Sequence, residues 1–268
     1  MNFQSFVVRS SDVWVVTFPK SGTTLTQELV WQVANNLDLE RGKEDLSLRF
    51  PYLEGDADAQ GDMLQCLERA EEPRFIKTHI PFSLLPSDLL STAKVVYVAR
   101  NPKDTMVSYF HHHKLFKRMN FIGDLKSFSK RFQKGQVNNS PYFQHVEEAW
   151  KLKSHPNLLF LFYEDIIRDM KNIVKKVCNF LGCEMNETKM QQLVEHLDIK
   201  KFRNNAAVNR KSIQHLDRQN EGAGSFIRKG EAGGWREEFK DNPELEVSFD
   251  QWIEKQREHY QCTIEFCK

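Results

Sequence analysis

Four short runs of the chain are apolar without alternation: Val13 to Phe18, Arg74 to His79, Lys94 to Ala99 and Leu158 to Tyr163, each rich in Val, Ile or aromatic residues. A strand with one face in water alternates apolar and polar positions, whereas a strand covered on both faces does not. These runs are therefore predicted as strands of a buried parallel sheet. Between and after them, apolar positions recur at helical spacing over Thr23 to Asn36, Pro102 to Lys117, Tyr142 to Lys153, Ile166 to Leu181 and Val247 to His259. The alternation of strand and helix predicts an α/β fold, a single domain over residues 1–268 with a central, mostly parallel sheet flanked by helices. No internal repeat interrupts it. The glycine-rich stretch Gly222-Ala223-Gly224, continued by Lys229 to Gly234, predicts a long mobile loop of the kind that carries function.

Composition narrows the function classes. With 40% hydrophobic and 28% charged residues, the chain falls outside the disordered, collagen-like and coiled-coil classes. Its 38 Lys+Arg against 37 Asp+Glu leave a net charge of +1, too balanced for a protein that coats nucleic acid or an acidic membrane. Any anion site has to be local. The first residues lack a basic n-region, a long apolar h-region and a cleavage site, and no later stretch reaches roughly 18 uninterrupted apolar residues, so neither a signal peptide nor a membrane span is expected. The five cysteines, Cys66, Cys178, Cys183, Cys262 and Cys267, form no CxxC pair and read as reduced thiols of a cytoplasmic protein. The run His111-His112-His113 does not predict a metal site, because successive helix positions do not share a face and no carboxylate or cysteine follows at ligand spacing.

The chemistry is concentrated at strand ends. Directly after the first strand, Thr17-Phe18-Pro19-Lys20-Ser21-Gly22-Thr23-Thr24-Leu25 runs into a helical pattern. Such a strand, turn and helix points backbone N–H groups, a helix dipole, hydroxyls and an ammonium into one concavity, which suits a phosphate. It is P-loop-like without being a Walker A loop, since Lys20 precedes the glycine instead of following it. The same residues also make an ordinary turn. After the third strand, Asn101 and Pro102 predict a helix start, and Arg100 with Ser108 can grip a second anion; a strand-end salt bridge is the alternative use of Arg100. Arg228-Lys229-Gly230 offers two more cations beside a glycine, or a solvated basic loop. The second strand ends Lys77-Thr78-His79, whose spacing sends Lys77 and His79 to one face. Ligands of open α/β sheets bind at the carboxyl ends of strands, so His79 is a candidate base beside an anionic substrate, although one of nine histidines is more often structural.

Taken in order, TFPKSGTT, KTHIP, RNPKDTMVSYFHH, YED and RKGEAGGW resemble the cytosolic sulfotransferase family across nearly the whole chain. The resemblance implies 3′-phosphoadenosine 5′-phosphosulfate (PAPS) as co-substrate, no metal, a small-molecule acceptor, and adenosine 3′,5′-bisphosphate (PAP) as second product. It implies that Lys20, Ser21, Gly22, Thr23 and Thr24 hold the 5′ phosphosulfate end. Arg100, Ser108, Arg228, Lys229 and Gly230 would hold the 3′-phosphate, with Tyr163 near the adenine. By the same resemblance His79 takes the acceptor's proton while Lys20 and Lys77 stabilise charge on the transferring group.

The chain also departs from that family. Leu25 stands where the family's tryptophan usually contacts the adenine, keeping apolar contact and losing ring stacking, and Leu197-Asp198-Ile199 follows His196 where the family reads Thr-Ser-Phe, so weaker cofactor affinity is expected while the phosphate contacts remain. Glu237-Glu238-Phe239-Lys240-Asp241 replaces the family's dimerisation motif, which removes the basis for the usual homodimer. About a dozen residues precede the first strand where the family has more, an N-terminally short domain with an expected open acceptor pocket. The aromatics Phe50, Tyr52 and Phe82 point to an apolar or phenolic acceptor. Two rival readings are a P-loop kinase, opposed by the missing GK[ST], and a catalytically weak nucleotide-binding protein. Sulfation followed by elimination, a net dehydration, is a variant that no residue selects.

Overall fold

The computed structural model describes residues 2–55, 63–209 and 224–266. Gly222 and Ala223 of the glycine-rich stretch, residues 56–60 of the loop after Phe50, and Cys267 lie outside these residues.

The four apolar runs form the four strands β1 (Val13–Thr17), β2 (Phe75–Thr78), β3 (Lys94–Ala99) and β4 (Leu158–Phe162). They pair in the order β2-β1-β3-β4, all parallel, with Val15 opposite Lys77 on one side and Val96 on the other. Their lack of alternation has the expected cause. Trp14, Val16, Val95 and Tyr97 face one apolar core, while Val13, Val15, Val96 and Val98 face another, and both are covered by helices.

Helix α1 (Thr23–Ala34) follows β1. The short helices α2 (Leu46–Arg49) and α3 (Met63–Arg69) precede β2, and α4 (Leu89–Thr92) precedes β3. After β3 come α5 (Pro102–Leu115), α6 (Leu125–Gln133) and α7 (Tyr142–Lys151). After β4 come α8 (Tyr163–Arg168), α9 (Met170–Leu181), α10 (Glu187–His196), α11 (Ile199–Asn204), α12 (Trp235–Phe239) and α13 (Pro243–Tyr260). The start of α5 is as the sequence reads: Pro102 occupies the first turn and the Asn101 side chain accepts the Lys103 N–H at 2.9 Å. The single helix expected over Ile166 to Leu181 is two. Asp169 leaves the helical conformation at φ −145° and caps the second one, its carboxylate accepting the Asn172 N–H.

Buried charges tie the layers together. Arg74 and Asp12 pair at 2.6 Å, and Arg49 and Glu28 at 2.5 Å, with all four side chains nearly inaccessible. Glu28 also accepts from Gln32 and from His196, the last residue of α10. Burial alone would raise the Glu28 pKa; the His196 and Arg49 contacts outweigh it and hold the carboxyl below its ordinary value. Because β2 and β3 lie on opposite sides of β1, the chain's connections diverge there and open a crevice at the carboxyl ends of the strands.

Candidate active site

A cavity of about 860 Å³ fills that crevice. One end is formed by the turn after β1. Lys20 at φ 68° and Gly22 at φ 98° both take the left-handed conformation, which folds the backbone back on itself and starts α1 without any side-chain cap. The first N–H groups of α1 therefore have no partner in the helix and face the cavity, where Thr23, Thr24 and Leu25 line the wall. Gly22 is required twice over. A Cβ there would lie 3.0 Å from Tyr163 Cε2 and nearer still to Cδ2. Ser21 departs from the expectation: its hydroxyl is absent from the cavity wall and is buried without a partner, because the same turn directs it into the protein.

Arg100, just past β3, lies across the Tyr163 ring at 4.3 Å. Its guanidinium donates to the Lys20 carbonyl at 3.1 Å and the Glu231 carbonyl at 2.9 Å, while Nε is buried with no partner. No carboxylate lies within ion-pair distance of it among the described residues, although its charge is felt by the nearby Glu164 carboxyl, and it stands at the cavity wall. Ser108 of α5 and the segment Arg228, Lys229, Gly230 line the same end. Arg228 donates to Glu238 at 3.2 Å, and Glu238 also accepts from His111 at 2.9 Å. Gly230 sits at φ 68° against Ile199, leaving no room for a Cβ. The described part of the late loop is fastened in place: Asp104 accepts the N–H groups of Gly233 at 2.6 Å and Trp235 at 3.0 Å, starting α12 from a different helix. Leu197, at the end of α10, supplies an apolar wall together with Ile199.

His79 and Lys77 line the other end together, as the strand period requires. His79 Nδ1 lies 2.8 Å from the Thr17 carbonyl. A carbonyl only accepts, so Nδ1 carries the proton and Nε2 keeps its lone pair. Burial first, then the charges of Lys77 and Lys20, hold its pKa well below the ordinary 6.5 and keep the imidazole neutral. The His79 N–H donates to Glu54 at 2.7 Å. Glu54 reaches this position because residues 51–53 pair with Lys77 at the edge of β2, and burial pushes its carboxyl up to about 7. Tyr52 packs edge-on against His79, with the Lys77 ammonium over its ring at 4.1 Å. Tyr109, Met119, Asn138 and Asn139 complete this end. Phe50 and Phe82 are not in the wall: Phe50 packs against Phe75 and Phe82 against Tyr97.

Thus every sequence-predicted catalytic and cofactor-binding residue except Ser21 lines one cavity, whereas of the three acceptor aromatics only Tyr52 does. Sequence reading missed Glu54, Asp104 and Thr17 in their present roles. Thr17 and Asp104 stood inside segments already singled out, but their partners are remote in sequence and no local pattern announces them. Among the described residues no cluster of His, Cys, Asp or Glu has the arrangement of a metal site; His111 bonds Glu238, His113 packs on Tyr109 and Phe128, and His112 borders the cavity.

A parallel sheet flanked by helices, with an uncapped helix N-terminus and convergent cations at its carboxyl edge, is an α/β architecture of the P-loop-like class. The sulfotransferase domain family matches residues 10–261. The chain is 35% identical over 276 aligned positions to the luciferin sulfotransferase of Photinus pyralis, covering 94% of this chain and 73% of that protein. It is 36% identical over 238 positions to sulfotransferase 1A1 of Rattus norvegicus, covering 88% and 81%. Among solved structures, retinol dehydratase in a complex with retinol and PAP superposes with a TM-score of 0.92 at 36% identity, over 99% of this chain and 86% of that one. The chain belongs to the sulfotransferase family, as a PAPS-dependent transferase.

Proposed function

We propose that the protein transfers the sulfuryl group of PAPS to a hydroxyl or amine of a small acceptor, with His79 as general base. The observation that carries this reading is the fixed His79 tautomer, Nδ1 on the Thr17 carbonyl, in one cavity with Lys20, Lys77 and the N-terminus of α1.

The residues suit the co-substrate. The unpartnered N–H groups of α1, Lys20, and the buried Arg100 Nε supply donors and positive charge where an anion would lie. In this assignment Gly22, Thr23, Thr24 and Lys20 bind the 5′ phosphosulfate. Arg100, Ser108, Arg228, Lys229 and Gly230 bind the 3′-phosphate, and Leu25, Leu197 and Tyr163 flank the base. When bound, PAPS supplies an electrophilic sulfur. His79 Nε2 takes the proton of the acceptor's O–H or N–H as that atom bonds to sulfur and the sulfur–oxygen bond to the 5′-phosphate breaks; Lys20 and Lys77 offset charge on the departing oxygen. PAP and the sulfated acceptor leave. On this reading cations replace the metal that kinases use. Tyr52, Tyr109 and Met119 favour a phenolic or apolar acceptor, and Asn138 and Asn139 give it a polar edge. The reading includes a cytoplasmic setting: Cys66, Cys178, Cys183 and Cys262 are free thiols, and no helix among the described residues is long and apolar enough to cross a membrane.

The test pairs PAPS turnover over a panel of phenols, aliphatic alcohols and charged sugars with the melting shift produced by PAP. His79→Ala should lose roughly 10²–10⁴ in turnover and keep the PAP shift. Unchanged turnover in that variant removes His79 as base, and better turnover of sugars than phenols removes the acceptor class.

A further inference from the structure

His79 stands one residue beyond the end of β2, where the sheet no longer fixes the backbone, yet it carries the nitrogen that must point at the acceptor. Its carbonyl is gripped from α7 and the segment before it. His145 Nε2 lies 3.0 Å from that oxygen and Asn139 Nδ2 lies 3.2 Å away. Together with the N–H on Glu54 and Nδ1 on Thr17, every polar atom of His79 except Nε2 has a protein partner.

His145 does not line the cavity and is 1% exposed. Its ring meets Phe18 edge-on at 5.7 Å, which ties it to the same turn that carries Lys20. The His79 carbonyl only accepts, so His145 Nε2 holds the proton and Nδ1 is an acceptor. The buried hydroxyl of Tyr97, on β3, lies 2.8 Å from that Nδ1 and donates to it, with the His145 carbonyl a second acceptor at 3.1 Å. Burial holds His145 down to about 4 and so neutral, as this arrangement needs.

Building on the reading of His79 as base, we infer that His145 is a positioning residue for it. Tyr97 sets the His145 tautomer, and His145 fixes the His79 peptide plane through its carbonyl. The tautomers are opposite, Nε2–H on His145 and Nδ1–H on His79, and the second leaves a free lone pair where the proton is taken.

The experiment has two arms. Imidazole ¹⁵N shifts of the full-length protein, assigned with His145→Gln and His79→Ala, should report Nε2–H for His145 and Nδ1–H for His79; the reverse tautomer at His145 overturns the inference. In the second arm, His145→Leu should lower kcat roughly ten- to a hundred-fold, the scale on which a misplaced group costs rate. Acceptor KM and the PAP melting shift should stay near wild type, and His145→Gln, which restores a donor at the Nε2 position, should recover most of kcat. Tyr97→Phe, nearly isosteric, should lose kcat by a smaller factor in the same pattern. If His145→Leu keeps wild-type kcat, loses kcat and PAP binding together, or is matched by His145→Gln, positioning is refuted. A His79→Ala control that keeps turnover would instead remove the base reading itself.

Discussion

Gly22→Ala and Gly182→Ala place the same added methyl in the same backbone region with opposite surroundings. Gly182 ends α9 at φ 73°, and a Cβ there meets nothing within 4 Å. Its substitution costs only the left-handed strain of an L-residue, about 1–2 kcal/mol. Gly22, at φ 98°, carries that strain and also drives a methyl into the Tyr163 ring, which is 5% exposed and cannot yield freely. Overpacking of this kind adds about 1–3 kcal/mol, for a total of about 2–5. The functional consequence passes through Arg100, whose guanidinium rests on that ring at 4.3 Å. Moving Tyr163 withdraws a charged donor from the proposed nucleotide site, and about 1.5–3 kcal/mol of lost hydrogen bonding weakens PAP by roughly ten- to a hundred-fold. Urea unfolding measures the first quantity and calorimetric PAP titration the second. Gly182→Ala should lose stability and keep PAP affinity. Equal destabilisation of the two variants, or wild-type PAP affinity in Gly22→Ala, would refute the reasoning.

The pH profile of kcat/KM should show no loss belonging to His79 as pH falls from 8 to 6.5, because a base with a depressed pKa stays deprotonated below its ordinary value; an inflection near pH 7 that survives Glu54→Gln contradicts this. Asp104→Ala leaves the Gly233 and Trp235 N–H groups without their acceptor, and should cost about 1–2 kcal/mol of stability in urea and weaken PAP; unchanged PAP affinity would mean that Asp104 does not hold the late loop. Glu28 has a folded pKa below its unfolded value near 4.5, so its contribution to stability is present above that pH and lost as pH falls through the folded value. Arg49→Met should cost about 3–5 kcal/mol at pH 7 by stranding that carboxylate, and in wild type the urea midpoint should fall below pH 4.5 more steeply than in Glu28→Gln.

What the sequence made legible was local. The unbroken apolar runs located each strand to within about a residue, because burial on both faces leaves a mark on every position. The place of Lys20, Gly22 to Leu25, Arg100 and the Lys77–His79 pair on one cavity was legible for a similar reason: a strand end and the turn that follows carry both geometry and chemistry in one short segment. Contacts between distant segments were not. Glu54 becomes the partner of His79 only through an edge pairing at Lys77, and Asp104 meets Gly233 only after α5 and the late loop pack together. Phe50 and Phe82 misled for a physical reason, since a loop aromatic gains as much by packing on the core as by lining a pocket: Phe50 entered the core, and Phe82 packs half-buried against it. Helix α10 escaped notice although Asn186 caps it, because its buried face rests on few apolar residues, chiefly Met190 and Leu193.

The cavity draws its cations from nearly opposite ends of the chain, Lys20 from the first turn after β1 and Arg228 from a loop close to the C-terminus. During synthesis the N-terminal part emerges first, with β1 and α1 ready to fold long before Arg228 leaves the ribosome. A nascent chain that has completed β4 can pair the four strands and carry Lys20, Lys77 and Arg100, yet it lacks Arg228 and Lys229 of the proposed anion site until the late loop has been made. On the proposed assignment, nucleotide then favours only a chain that includes Arg228 and Lys229. A truncated product ending before Arg228 gains no such support, and it also lacks the core side chains Trp235, Phe239, Leu245 and Phe249.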